Sequence, residues 1–203
     1  MVAHRGGNDL RHLVAVAPLV DRVEVDVRRR GSRLEARHPR RLPLLGWWFE
    51  GPRRVPVRPA PTLEEVVATA LEHGVALLVD LKGGWPSTAA RVARALPADL
   101  DVVVSARAWW QLGVIARRRR GTGLLRSIGR RWQLSLSRRL RPRRGEGAVV
   151  HQGLLDAPTV RALGRHHGHV WTWGVDDPAT AGKLVAWGVD GLIVDHPERF
   201  AAS

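Results

Sequence analysis

Cysteine and tyrosine are absent from the 203 residues. The first absence excludes a disulfide framework, a thiolate nucleophile and any cysteine-ligated zinc or iron–sulfur centre. The second leaves no catalytic phenol. No apolar run reaches the roughly 18 residues that an ordinary membrane-spanning helix needs. The N-terminus meets His4 and Arg5 at once, with no apolar signal region. The expected location is therefore the cytoplasm, including the inner membrane surface. Lysine is scarce as well: Lys82 and Lys183 are the only two among 33 basic residues, the rest being arginine.

What is present is a 44% hydrophobic chain, enough for a true core and for one domain spanning residues 1–203. The 33 basic against 19 acidic residues leave a net charge of +14. Two readings stay open. One is attraction to phosphate-rich partners, whether nucleic acid, anionic lipid or a phosphorylated metabolite. The other is the arginine-rich codon usage of a GC-rich genome.

Apolar segments with strand periods alternate with helical patterns from end to end. Residues 23–27 (VEVDV) alternate strictly, and residues 76–81 (ALLVDL) form the near-continuous apolar run of a strand buried on both faces. Residues 101–105, 148–151, 170–175 and 191–195 follow suit, with weaker candidates at 2–4 and 124–127. Between them, Thr62 with Glu65 makes a capping box ahead of an apolar stripe that Gly74 stops. Ser87 or Thr88, Asp156 and Asp177 are further helix openers, and residues 109–120 and 132–140 are basic amphipathic stretches. About eight such strand–helix units predict parallel pairing and a compact (β/α)8 TIM barrel. A doubly wound sheet is the alternative, but no Gly-rich phosphate loop follows any strand. Residues 39–60 read as an irregular insertion and residues 138–147 as a polar loop.

Catalytic side chains of a parallel barrel collect at the C-terminal strand ends. There the sequence places His4 and Arg5, then Glu24 and Asp26 two apart on one strand face, then Asp80 and Lys82 with the same spacing. Ser105, His151, Trp173 and Asp195 end later strands. Carboxylates on apolar strands are costly unless paired or metal-bound. Three of them facing one lumen predict either a divalent cation, with all-oxygen donors favouring magnesium, calcium or manganese, or salt bridges to Arg5 and Lys82. The other histidines predict less: His166, His167 and His169 surround a helix end at Gly168 and read as a solvated last turn.

Taken in order, residues 4–6 (HRG), 23–27, His38, 61–65 (PTLEE), 79–82 (VDLK), 173–176 (WGVD) and 188–195 (GVDGLIVD) resemble the glycerophosphodiester phosphodiesterase family over nearly the whole chain. The resemblance implies a (β/α)8 barrel that hydrolyses glycerophosphodiesters, or lysophospholipid-like phosphodiesters, to glycerol 3-phosphate and an alcohol with magnesium or calcium. It also implies His4 and His38 as the acid–base pair, and Glu24, Asp26 and Asp80 as metal ligands. Arg5 and Lys82 become phosphate-binding residues and Trp173 a pocket wall. The sequence departs from the family in four places. The first loop is shortened to Gly7–Asn8–Asp9, Pro39 follows His38, Asp80 replaces a glutamate, and Asp176 replaces an asparagine.

Two competing readings are a catalytically silent barrel that binds a phosphorylated ligand or anionic lipid, and a nucleic-acid binder. The scattered arginines and the lack of a recognised module weigh against the latter. Trp47, Trp48 and Phe49, flanked by Arg40, Arg41, Arg53 and Arg54, are expected either to contact an anionic membrane or to cover the barrel mouth or pack under the loop.

Overall fold

A computed structural model describes residues 1–38, 40–41, 48–50, 53–55 and 59–200. Its main sheet contains β1 (Val2–Ala3), β2 (Arg22–Arg30), β7 (Ala76–Leu81), β8 (Val102–Ala106), β9 (Gly123–Ile128), β10 (Glu146–His151), β11 (Val170–Val175) and β12 (Gly191–Val194). All eight pair in parallel, in chain order. β1 joins both β2 and β12, which closes the barrel. β3 (Arg33–Ala36) folds back on β2 as an antiparallel hairpin through Gly31, whose φ is 59°. The segment expected to be irregular instead carries a small antiparallel sheet of β4 (Arg40–Arg41), β5 (Trp48–Glu50) and β6 (Arg53–Val55). Pro39 and Trp47 lie outside the described residues, as do the side chains of Trp48 and of Arg40, Arg41, Arg53 and Arg54.

Seven helices cover the barrel among the described residues: α1 (Leu10–Val16), α2 (Leu63–Glu72), α3 (Pro86–Ala95), α4 (Trp110–Arg118), α5 (Arg131–Arg139), α6 (Ala157–His167) and α7 (Pro178–Ala186). None is long and apolar enough to cross a membrane. Their starts follow local chemistry. Thr62 Oγ1 accepts from the Glu65 N–H at 3.2 Å, and Glu65 Oε2 accepts from the Thr62 N–H at 2.7 Å. Asp156 and Asp177 cap α6 and α7 by accepting from Thr159 and Thr180. α3 begins at Pro86 rather than at Ser87 or Thr88, because proline tolerates a first turn whose N–H has no partner anyway.

Alternation along β2 sorts its side chains. Val23, Val25 and Val27 pack outward with Leu13, Leu63 and Val66 against the helices. Val2, Leu78, Val103, Leu125, Val149 and Ile193 form a separate apolar cluster, with Trp171 and Trp173 packed against it. Glu24 and Asp26, offset by one residue from the valines, face the other side of β2. The polar loop expected over 138–147 is shorter, since Glu146 already begins β10 and is buried. Arg126 explains its burial: Nε donates to Glu146 Oε1 at 2.5 Å, while the other guanidinium nitrogens donate to the Leu140 and Arg141 carbonyls. The histidine cluster also differs from expectation. His167 is buried, its Nε2 2.8 Å from Ser137 Oγ on α5, because α5 packs over the end of α6.

Candidate active site

The first loop bends tightly onto β2. Arg5 is the one non-glycine residue with positive φ among those described, at 52°. Gly6 and Gly7 are buried behind it. A Cβ on Gly6 would lie 2.8 Å from Val23 Cγ1, and one on Gly7 2.8 Å from Val25 Cβ. Only glycine permits this approach, and two anchoring interactions follow from it. The Arg5 N–H donates to Glu24 Oε2 at 2.6 Å. Asn8 grips Asp26 at both ends: its Nδ2 donates to Asp26 Oδ2 at 2.7 Å and its Oδ1 accepts from the Asp26 N–H at 2.9 Å.

Glu24, Asp26 and Asp80 offer carboxylate oxygens that all lie within 4.8 Å of one another. Register makes this so, because Asp26 and Asp80 are direct partners on adjacent strands. Asp80 in turn neighbours Ser105, whose Oγ donates to Asp80 Oδ1 at 2.7 Å. Lys82 reaches into the cluster: its Nζ is 2.6 Å from Asp26 Oδ1 and also touches Asp80 Oδ2. The features behind both sequence-based alternatives therefore meet in one place: clustered carboxylates that could hold a cation, and ion pairs to Lys82 and to Arg5, whose Nε is 3.8 Å from Asp26 Oδ2.

The electrostatics follow from burial and crowding. Burial, then the charge of Asp26, pushes the Glu24 carboxyl well above its usual range. Burial acts on Asp26 in the same direction. The ammonium of Lys82, the nearby His38 and the bond from Asn8 overcome it and hold Asp26 below the usual value. Burial disfavours the Lys82 ammonium, but Asp80, Asp26 and Glu24 outweigh it and raise its pKa.

His4 stands beside this cluster. Its Nδ1 lies 2.5 Å from Asp195 Oδ1, and its Nε2 is 4.0 Å from Glu24 Oε2. A carboxylate only accepts, so Asp195 selects the tautomer with hydrogen on Nδ1 and leaves Nε2 for other partners. His38 follows β3, and its backbone carbonyl accepts from Arg28 Nε at 3.0 Å. A cavity of about 100 Å³ opens here, lined by His4, Arg5, Glu24, His38, Asp80, Lys82 and Trp173. Of the eight residues selected from sequence, only Asp26 is not in the lining, and it is fully buried. Trp173 meets the edge of His151 with ring centroids 4.4 Å apart.

Sequence reasoning missed several neighbours. Arg107 and Ser127 also line the cavity. A strand-end position is their one sequence signal, and it does not separate them from other polar strand ends. Asn8 owes its position to the tight first loop, and the pairing of Asp195, itself expected at a strand end, with His4 depends on barrel closure, which no local pattern announces.

No family model matches the chain, and no curated protein matches it in sequence. Solved structures do. The chain is similar to a phosphodiesterase from Oleispira antarctica in complex with the product sn-glycerol 3-phosphate, at TM-score 0.76 and 19% identity, covering 99% of this chain and 94% of that one. It is similar to a glycerophosphodiester phosphodiesterase from Thermotoga maritima at TM-score 0.73 and 19% identity, covering 99% and 96%. A third such enzyme, from Parabacteroides distasonis, matches at TM-score 0.71 and 17% identity, covering 97% and 92%. This chain thus has, over nearly its whole length, the barrel fold of the glycerophosphodiester phosphodiesterases.

Proposed function

We propose that the protein is a metal-dependent phosphodiesterase that cleaves glycerophosphodiesters into glycerol 3-phosphate and an alcohol, or lysophospholipid-like diesters into acyl-glycerol 3-phosphate and an alcohol. One observation carries this reading: two histidines, Glu24, Asp80, Arg5 and Lys82 from distant parts of the chain line one cavity of this fold, with the Asp26 carboxylate beside those of Glu24 and Asp80.

The donor set suits a hard divalent cation such as magnesium or calcium. Three carboxylates outnumber the cations paired with them, Lys82 and the Arg5 guanidinium 3.8 Å from Asp26 Oδ2, so the cluster keeps negative charge for a dication to balance. Burial, then the charge of Asp26, raises the Glu24 pKa, and a bound cation would oppose both. Glu24, Asp26 and Asp80 would hold the ion, which when bound supplies electrostatic stabilisation of the phosphoryl oxygens.

The remaining work falls to side chains. Arg5, Lys82 and Arg107 present positive charge to the substrate phosphate. Asp195 keeps His4 Nε2 directed at the cavity, and His38 supplies a second imidazole. One imidazole accepts the proton of the attacking oxygen as its bond to phosphorus forms. The other donates a proton to the departing alkoxide as its bond breaks. The attacking oxygen belongs to water or to the neighbouring glycerol hydroxyl, and in the latter case a cyclic phosphate precedes glycerol 3-phosphate. Trp173 walls the pocket for the glycerol moiety.

Product identification tests the reading. Glycerophosphocholine, glycerophosphoethanolamine and lysophosphatidylcholine are incubated with the protein and magnesium or calcium, with and without chelator. Glycerol 3-phosphate from the two glycerophosphodiesters, or acyl-glycerol 3-phosphate and choline from lysophosphatidylcholine, is expected to appear only without chelator. No product from any diester with either cation overturns the enzyme reading and leaves a silent phosphate-binding barrel.

A further inference from the structure

Three tryptophans stand out as exposed: Trp85 at 71%, Trp110 at 45% and Trp132 at 59%. They occupy equivalent places. Trp85 is the N-cap of α3, Trp110 opens α4, and Trp132 is the second residue of α5. These helices follow β7, β8 and β9, which are neighbours in the barrel. All three indoles therefore sit at the strand end where the cavity opens, along one arc of its rim.

A short internal repeat explains why they face outward. Trp110–Gln111–Leu112 and Trp132–Gln133–Leu134 share one pattern. In each the glutamine turns inward and is buried. Gln111 Nε2 donates to the Trp85 carbonyl at 3.2 Å, and Gln133 Oε1 accepts from the Gly129 N–H at 2.9 Å. Each tether fixes the start of its helix to a rim loop and leaves the preceding tryptophan outside. Trp109 is the internal contrast: its Nε1 donates to the Ser127 carbonyl and the Arg126 guanidinium stacks over its ring. The rim loops, residues 82–87, 107–111 and 129–133, contain no acidic residue, and Arg107, Arg130 and Arg131 are exposed among them.

We propose that these three loops form a docking surface for an anionic lipid bilayer. Trp85, Trp110 and Trp132 enter the boundary between headgroups and acyl chains, and Arg130 and Arg131 pair with lipid phosphates. The composition favours this occupant. Interfacial binding adds buried apolar area to attraction by anionic headgroups, and indole prefers that boundary. Nucleic-acid affinity rests mainly on cations, and here three large apolar groups accompany only a few. A second copy of a chain with net charge +14 would be repelled. The bound orientation turns the cavity toward the membrane, where lipid-derived diesters are found. The surface itself does not depend on the catalytic reading.

Co-sedimentation with vesicles tests it, using phosphatidylcholine alone or mixed with phosphatidylglycerol, at low and high salt. Binding to the mixed vesicles that weakens with salt is expected. Trp85→Ser, Trp110→Ser and Trp132→Ser combined should weaken that binding by about tenfold or more. Arg130→Gln with Arg131→Gln should flatten its salt dependence. Should the triple variant fail to fold, Trp132→Ser alone serves, with a smaller loss in the same direction. Absence of binding to mixed vesicles at low salt overturns the proposal, and so does a folded variant that binds like the parent. Tryptophan-dependent retention on a random-sequence oligonucleotide in place of vesicles assigns the rim to nucleic acid and equally overturns it.

Discussion

His4 Nδ1 donates to Asp195 Oδ1 at 2.5 Å, across the seam where β1 closes the barrel against β12. The two residues are 191 positions apart. This bond sets both the tautomer of His4 and the direction of its ring. Asp195→Asn should therefore lower kcat by about 10²-fold while leaving KM nearly unchanged. His4→Ala should lose about 10²–10⁴ in kcat. Steady-state kinetics on a glycerophosphodiester checks both. A folded His4→Ala protein that loses less than about threefold removes His4 from proton transfer.

Glu24→Gln keeps the shape of a ligand but removes its charge. The cation concentration for half-maximal activity should rise about 10–100-fold, with partial rescue at high magnesium or calcium. A variant that no concentration of either cation rescues points to a structural role for Glu24.

Asn8→Ala removes both anchors from Asp26. Its buried carboxylate and N–H then lose partners, at a cost of about 1–3 kcal/mol in stability. Cation affinity, read from the rise in Tm on adding magnesium or calcium, should fall as well. Unchanged values for both measures would mean that β2 and the ion pair with Lys82 position Asp26 without Asn8.

Gly7→Ala brings a Cβ to 2.8 Å from Val25 Cβ and 3.3 Å from the Glu24 carbonyl oxygen, and the barrel wall fixes both. Denaturant unfolding should show a loss of about 1–3 kcal/mol. Activity should drop too, since the same loop carries Arg5 and Asn8. Full stability and activity in this variant would disprove the tight approach of loop to strand.

His167 gives a pH signature far from the cavity. Burial, then the neighbouring His166 and Arg126, lowers its pKa from 6.5 to about 4. Between those values the unfolded chain binds a proton that the folded protein does not. The contribution to stability is thus complete above pH 6.5 and is lost as pH falls through about 4. His167→Gln should flatten this limb, by up to about 3 kcal/mol at the acid end. Chemical denaturation from neutral to acid pH measures the difference, and parallel curves for the two proteins contradict the burial argument.

Much of the barrel was legible in the chain because its signals are local. The run 76–81 matches β7 residue for residue, and the capping box at Thr62 opens α2 where the pattern expects. Period-two spacing also placed Glu24 and Asp26 on one face of one strand. Signals failed where a partner far away reverses a local preference. His167 is polar and sits in a last turn, yet Ser137 on another helix receives it and allows burial. Glu146 lies in a breaker-rich stretch, yet Arg126 draws it into a strand.

Sequence alone determined the alternation of strands and helices, and which carboxylates and imidazoles stand at strand ends, because side-chain periodicity is a property of the backbone. Only the tertiary structure decided that Asp80 lies opposite Asp26 with Lys82 across both, that Asn8 holds Asp26, and that Asp195 meets His4. Those contacts depend on strand register and on closure of β1 against β12, and neither exists until the barrel is complete.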